Sequence, residues 1–182
     1  MSNRKKTLLI SIKPYFFQKI LDGHKEIELR KVLPRVSSGD MMLVYQSSPA
    51  KKLSAVFEIK SVFSGKPEEI WKIQGNKERR LGVSKSEFDA YFQGSKKAVC
   101  IEFKVIHIFK KPVPLSDIRH SWPNFRPPQG FYYLKNDEYD KLFKLTDLDL
   151  QNNTCDSTHI FRHSPNVEYS PQVKSKPYAE IS

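Results

Sequence analysis

The chain has 182 residues, 31 Lys+Arg against 20 Asp+Glu, a formal charge of +11, 38% hydrophobic and 28% charged residues. That length fits one domain with a tail, and no apolar run approaches the ~18 residues of a membrane span, so a soluble protein is expected. Cys100 lies in an apolar stretch and Cys155 in a polar one, giving neither a disulfide framework nor metal-ligand spacing.

The basic start, Met1 to Lys6, leads into an apolar stretch that stops at Ile12 before Lys13-Pro14. That is too short for a signal peptide, and it predicts a cytoplasmic protein. Thr7 to Ile12 reads as a buried strand. Pro14 then suits the first position of a helix running to about Leu21, because its missing N–H needs no partner there. Phe17, Ile20 and Leu21 make the expected core face, and Asp22-Gly23 supplies the stop. Lys25 to Arg30 alternates, so Ile27 and Leu29 are expected on one face of a strand and Glu26, Glu28 and Arg30 on the other.

A loop around Pro34 and the turn signal Gly39-Asp40 precede a strand over Met41 to Tyr45, and a long strand follows over Leu53 to Phe63. Pro67-Glu68-Glu69 opens a helix through Ile70, Trp71 and Ile73, acids being favourable in a first turn. Lys77-Glu78-Arg79-Arg80 reads as a basic loop. Ser84-Lys85-Ser86-Glu87 has the spacing of a capping box before Phe88, Tyr91 and Phe92, with Gly94 as the stop. A second long strand covers Ala98 to Phe109, with Pro112-Val113-Pro114 ending it. The aromatic and proline-rich run within 115–135 is apolar enough to pack on the domain. Asn136 to Leu145 reads as a short closing helix, with Tyr139, Leu142 and Phe143 on one face.

These elements predict a main domain over residues 1–135, a closing helix within 136–150 and a polar, disordered tail over 151–182. Strands and helices do not alternate regularly, which favours an α+β arrangement, a compact mixed sheet or small barrel with helices at its ends, over a doubly wound sheet. The charge follows the same division. Residues 136–182 hold five of the 31 bases and eight of the 20 acids, leaving 26 against 12, a charge of +14, on residues 1–135. Such a surplus favours polyanions, because each neutralised phosphate releases counterions.

The notable constellation is Gly23-His24-Lys25-Glu26-Ile27-Glu28-Leu29-Arg30. A helix end, a glycine turn and a charged strand face place Lys25, Glu28 and Arg30 near one rim. Arg30 offers a planar fork for a phosphate or base edge, Glu28 an acceptor for an amino group such as that of cytosine, and Lys25 a point charge. The plainer alternative is a solvent-facing Glu28–Arg30 pair of little energetic worth. Tyr15, Phe16 and the aromatics from Trp122 to Tyr133 could stack on bases, though core packing competes for most of them. The basic pairs Lys51-Lys52, Arg79-Arg80, Lys96-Lys97 and Lys110-Lys111, with Arg4-Lys5-Lys6, fall at strand ends or loops. On one side of the fold they would track phosphates; scattered, they only solubilise. His159 and His163 have the i, i+4 spacing of a metal pair but lie in the tail without a third ligand, and His107 falls within a strand.

The stretch resembles the Gly-x-Lys-x-x-Glu-x-Arg signature of the ASCH family, in the PUA-like superfamily, at Gly23, Lys25, Glu28 and Arg30. The flanks agree: Ser11 to Pro14, Gly39-Asp40, Tyr45 to Pro49, Glu68 to Trp71, Gly82 to Ser84 with Phe88 to Gly94, and Pro127 to Phe131. The resemblance covers residues 7–135, and the chain looks like the ASCH proteins described as transcriptional regulators. It implies a small β-barrel with rim helices, a cleft beside the signature strand and RNA, or a modified nucleoside or nucleotide, as the partner. The ligand-binding residues it suggests are Gly23, Lys25, Glu28, Arg30 and Tyr15, with Lys51, Lys52, Arg79 and Arg80 on phosphates.

No cofactor, metal or membrane is expected, and the chain is read as a monomer whose aromatic-proline segment offers a surface to a protein partner. A family branch that hydrolyses acylated cytidine resembles this chain at Lys25 but has a threonine where Glu28 stands, and a separate glutamate for which Glu78 is the nearest match. Without that hydroxyl the nucleophile–base pair is missing. Lys25 and Glu28 are the catalytic pair if the chain is an amidohydrolase or ribonuclease.

Overall fold

The computed structural model describes residues 5–75 and 78–146, with only the backbone for residues 78 and 79. The expected tail, with Cys155, His159 and His163, lies outside them, as do Arg4 and the side chain of Arg79. No helix among the described residues is long and apolar enough to cross a membrane.

Strand β1 (Thr7–Ile12) is followed by helix α1 (Pro14–Leu21), β2 (Ile27–Arg30), β3 (Met41–Gln46) and β4 (Lys52–Gly65). Three helices, α2 (Pro67–Gln74), α3 (Glu78–Leu81) and α4 (Lys85–Phe92), separate β4 from β5 (Ala98–Pro114). Then come α5 (Leu115–Ser121), β6 (Phe131–Tyr133) and α6 (Asn136–Phe143). The strands form one mixed α+β sheet, order β2-β5-β4-β3-β1-β6, curled into a half-barrel. β1 runs parallel to β3 and every other pair is antiparallel.

Alternation along the strands divides the core. Leu8, Ile10 and Ile12 of β1 face the inside of the curl with Phe57, Val99 and Ile101, while Leu9 faces outward to Leu43, Ile118, Phe125 and Leu142 under α5 and α6. A third cluster, Ile27, Leu29, Ile70, Phe88, Phe92 and Cys100, joins β2 and β5 to α2 and α4.

Local signals place α1, α2 and α4 where expected, and α4 has the full capping box, with Ser84 Oγ accepting from Glu87 N at 3.2 Å and Glu87 accepting from Ser84 N at 2.7 Å. Several expectations need correction. Leu21 is exposed rather than a core residue. At about 100° per residue, Phe16, Ile20 and Phe17 form the stripe of α1 that meets the core, and Leu21 falls at its margin. The basic stretch at 78–81 is a short helix, not a loop. β5 continues through Pro112 to Pro114, because the irregular register opposite Ser54 leaves Pro112 without a ladder partner and Pro114 closes the strand. Finally, residues 115–135 contain α5 and β6, the latter pairing Leu8, Leu9 and Ile10 with Tyr133, Tyr132 and Phe131.

Candidate functional site

β2 is where the sequence reading changes most. Its Ile27 and Leu29 face the α2–α4 cluster, and Glu28 and Arg30, opposite Ile101 and Val99 of β5, face the inside of the half-barrel. Both faces of the strand are therefore covered. Lys25 and Glu28 are only 3% and 4% exposed, which rules out a solvated pair. They line a cavity of about 730 Å³ at the seam between β2 and β1. It is also lined by Phe16, Val83, Phe88 and Tyr91, and by Lys13, Ser47 and Gln129.

The charged floor is closely wired. Arg30 bridges the seam: its Nη2 donates to Ser11 O at 2.6 Å, and its Nη1 to Leu29 O at 3.0 Å and to Glu28 Oε1. Lys25 Nζ donates to the carbonyls of Ile27 (2.7 Å) and Leu81 (2.9 Å) and lies 3.4 Å from Glu28 Oε2. Desolvation lowers the pKa of the Lys25 ammonium, and the Glu28 carboxylate opposes that shift. Two buried atoms keep unused hydrogen-bonding capacity: Glu28 Oε2, an acceptor, and Arg30 Nε, a donor. Burial raises the Tyr91 hydroxyl, with the Arg30 guanidinium drawing it back.

The segment 80–82 locks this floor in place. Glu26 N donates to Arg80 O at 2.8 Å, and Lys19 Nζ to Gly82 O at 2.8 Å. Gly82 has φ +67, and a Cβ there would stand 2.7 Å from Lys25 Cβ, so the close approach requires glycine.

The structure thus brings Lys25, Glu28 and Arg30 together and leaves other expected residues apart. Gly23, at φ +72, terminates α1 and does not line the cavity. Tyr15 is 57% exposed with Lys19 4.4 Å from its ring centre, and its neighbour Phe16 lines the cavity instead. Lys51 and Lys52 sit on the β3–β4 hairpin. Arg80 is held by Glu26 at 3.0 Å and by Glu102 at 2.5 Å, so it is not a free phosphate ligand. Ser11, Ser47 and Tyr91 were not among the expected site residues, although each falls in a stretch that resembles the family. The capping box also places Tyr91 one turn after Glu87.

Residues 7–119 match the family described as "Domain of unknown function (DUF365)". The ASCH domain-containing ribonuclease of Zymomonas mobilis is 27% identical over 142 residues, 78% of this chain and 93% of that protein. The crystal structure of ASCH from Zymomonas mobilis gives a TM-score of 0.70 at 26% identity, covering 79% of this chain and 97% of that one. The chain belongs to the matched family and carries an ASCH domain. A crystal structure of a Tyr→Phe variant of the Zymomonas protein gives 0.69 at 25% identity, covering 78% and 99%. Large ribosomal subunit protein uL22 of Ureaplasma parvum is 32% identical over 130 residues, 71% of this chain, which spans only 39% of that protein. The half-barrel fold is shared with the Zymomonas ASCH structure.

Proposed function

We propose that this protein binds single-stranded RNA and takes one unstacked nucleotide into the seam cavity. The observation that carries the reading is the buried Glu28 and Arg30 side chains lining the cavity, each with an atom that has no hydrogen-bond partner: Glu28 Oε2, ion-paired to Lys25, and Arg30 Nε. A nucleobase edge offers adjacent donors and acceptors, whereas a phosphate would meet the Glu28 carboxylate unfavourably. Phe16 and Tyr91 supply apolar faces against which a base can stack. Charge on the body of the protein then serves the backbone. A regulatory role would follow from binding without turnover.

The reading is tested by salt titration of a labelled single-stranded RNA. Wild type is expected to bind with an affinity that falls as salt rises, and Tyr91→Ala to bind roughly tenfold more weakly. Binding that is absent at low salt, or insensitive to salt, would sink the idea.

A second reading, ribonuclease, is favoured by the likeness across nearly the whole Zymomonas ribonuclease. In it Glu28 Oε2 accepts the proton of the attacking hydroxyl as its oxygen bonds to phosphorus, the bond from phosphorus to the departing ribose oxygen breaks, and that oxygen takes a proton from water. Lys25, whose ammonium is turned to the carbonyls of Ile27 and Leu81, contributes charge rather than a proton acceptor. Lys25 is beside those carbonyls and Glu28, not beside a hydroxyl, which disfavours acyl transfer from modified cytidine. RNA incubated with wild type, Glu28→Gln and Tyr91→Phe separates the readings: equal degradation by all three assigns the cleavage to a contaminant.

A further inference from the structure

Strand register decides which basic residues stand near the cavity. Ile12 pairs with Gln46, Gln46 with Lys52, and Lys52 with Pro114, forming one row across β1, β3, β4 and β5. At ordinary strand spacing that row is about 14 Å long. It begins at the cavity, since Ile12 and the following Lys13 both line it. The hairpin joining β3 to β4 runs along the same end: Ser47 lines the cavity, and Lys51 N donates to Ser47 O at 3.2 Å.

At the far end of the row, the Leu53–Val113 and Ala55–Ile108 pairs set residues 109–112 of β5 against Ser54 alone. Such a bulge bends a strand and re-aims its side chains, and Lys110 and Lys111 within it are exposed. Among the described residues, no carboxylate pairs with Lys13, Lys51, Lys52, Lys110 or Lys111. Asp117, the next acid along the chain, accepts from Ser116 Oγ at 2.9 Å. Arg80 is neutralised by two carboxylates, and Lys96-Lys97 precede Ala98, which pairs with Gly65 at the opposite end of the β4–β5 ladder.

Building on the RNA-binding reading, we propose that these five lysines form a phosphate track along which the strand leaves the cavity. The ligand is then a single-stranded polynucleotide several residues long rather than a free nucleoside or mononucleotide. A lone nucleotide reaches Lys13 only; linked phosphates are needed to use the hairpin and the bulge.

The test compares a mononucleotide with a labelled RNA of eight nucleotides, using the full chain as wild type, Lys51→Ala/Lys110→Ala/Lys111→Ala, Lys96→Ala/Lys97→Ala and Arg30→Ala. The triple variant is expected to bind the octamer at least ~tenfold more weakly and to lose about 2 from the log K against log salt slope, at about 0.7 per phosphate. Its mononucleotide affinity and melting temperature should match wild type, and the Lys96/Lys97 variant should keep the full slope. Equal losses in the two lysine variants, or no advantage of octamer over mononucleotide, would overturn the track. If wild type binds the octamer, Arg30→Ala abolishes it and the triple variant keeps its slope, the cavity reading stands and the track is wrong. No octamer binding by wild type would remove both.

Discussion

Glu28 is the one carboxylate between two cations on the cavity floor, with its two oxygens divided between Arg30 and Lys25. Removing that charge leaves Lys25 buried with carbonyl partners but no counter-charge. Glu28→Gln is therefore expected to cost about 3–5 kcal/mol, read by urea unfolding. Lys25 carries a pH signature. Its pKa is lowered in the fold, so as pH rises the native state releases this proton before the unfolded chain does. The unfolded state then binds more protons, and stability should rise with pH between the lowered value and the ordinary lysine range. Subtracting the profile of Lys25→Met from that of wild type should isolate the rise; parallel profiles would contradict it. The juxtaposition of Lys25, Glu28 and Arg30 was readable from alternation and a glycine turn. Their burial was not, because the cover comes from β1 and from segment 80–82, more than fifty residues beyond Lys25.

Among the elements, α4 does most to shape the cavity, since Phe88 and Tyr91 both line it. Its first turn depends on the reciprocal Ser84–Glu87 capping contacts, and the Ser84 backbone N–H is the main cause holding the Glu87 carboxyl below its usual range. Ser84→Ala is expected to lower stability by about 1 kcal/mol and the melting temperature by a few degrees. An unchanged melt would show that α4 is held by packing alone. A capping box is written in four consecutive residues, so α4 was legible to its boundaries. β6 was not: three residues become a strand only by pairing with β1, some 120 residues earlier. The prolines of β5 misled for a related reason, since a bulge and a strand end tolerate what a regular ladder rejects. On α1, Tyr15 and Phe16 differ by one helical step, and the direction of the sheet decides which of them meets the cavity.

Among the described residues, the half-barrel has a seam where β2 ends the sheet with no backbone ladder to β1, and Arg30 reaches across it to Ser11. The open side of β2 can be read from its carbonyls. Those of Ile27 and Leu29 accept from Lys25 and Arg30, while that of Glu26 accepts from Phe103 N of β5 at 3.3 Å. In an antiparallel pair, a residue that turns its carbonyl away from the partner turns its amide away as well. The amides of Ile27 and Leu29 therefore point away from β5, in residues that are 0% and 6% exposed as a whole. Deuterium uptake should differ along this strand, with Leu29, whose amide is turned from β5, exchanging ahead of Glu28 and Arg30, whose amides the ladder holds, and Ile27 protected by its complete burial. A ligand that fills the seam would slow exchange at Leu29, making that amide a label-free reporter of occupancy.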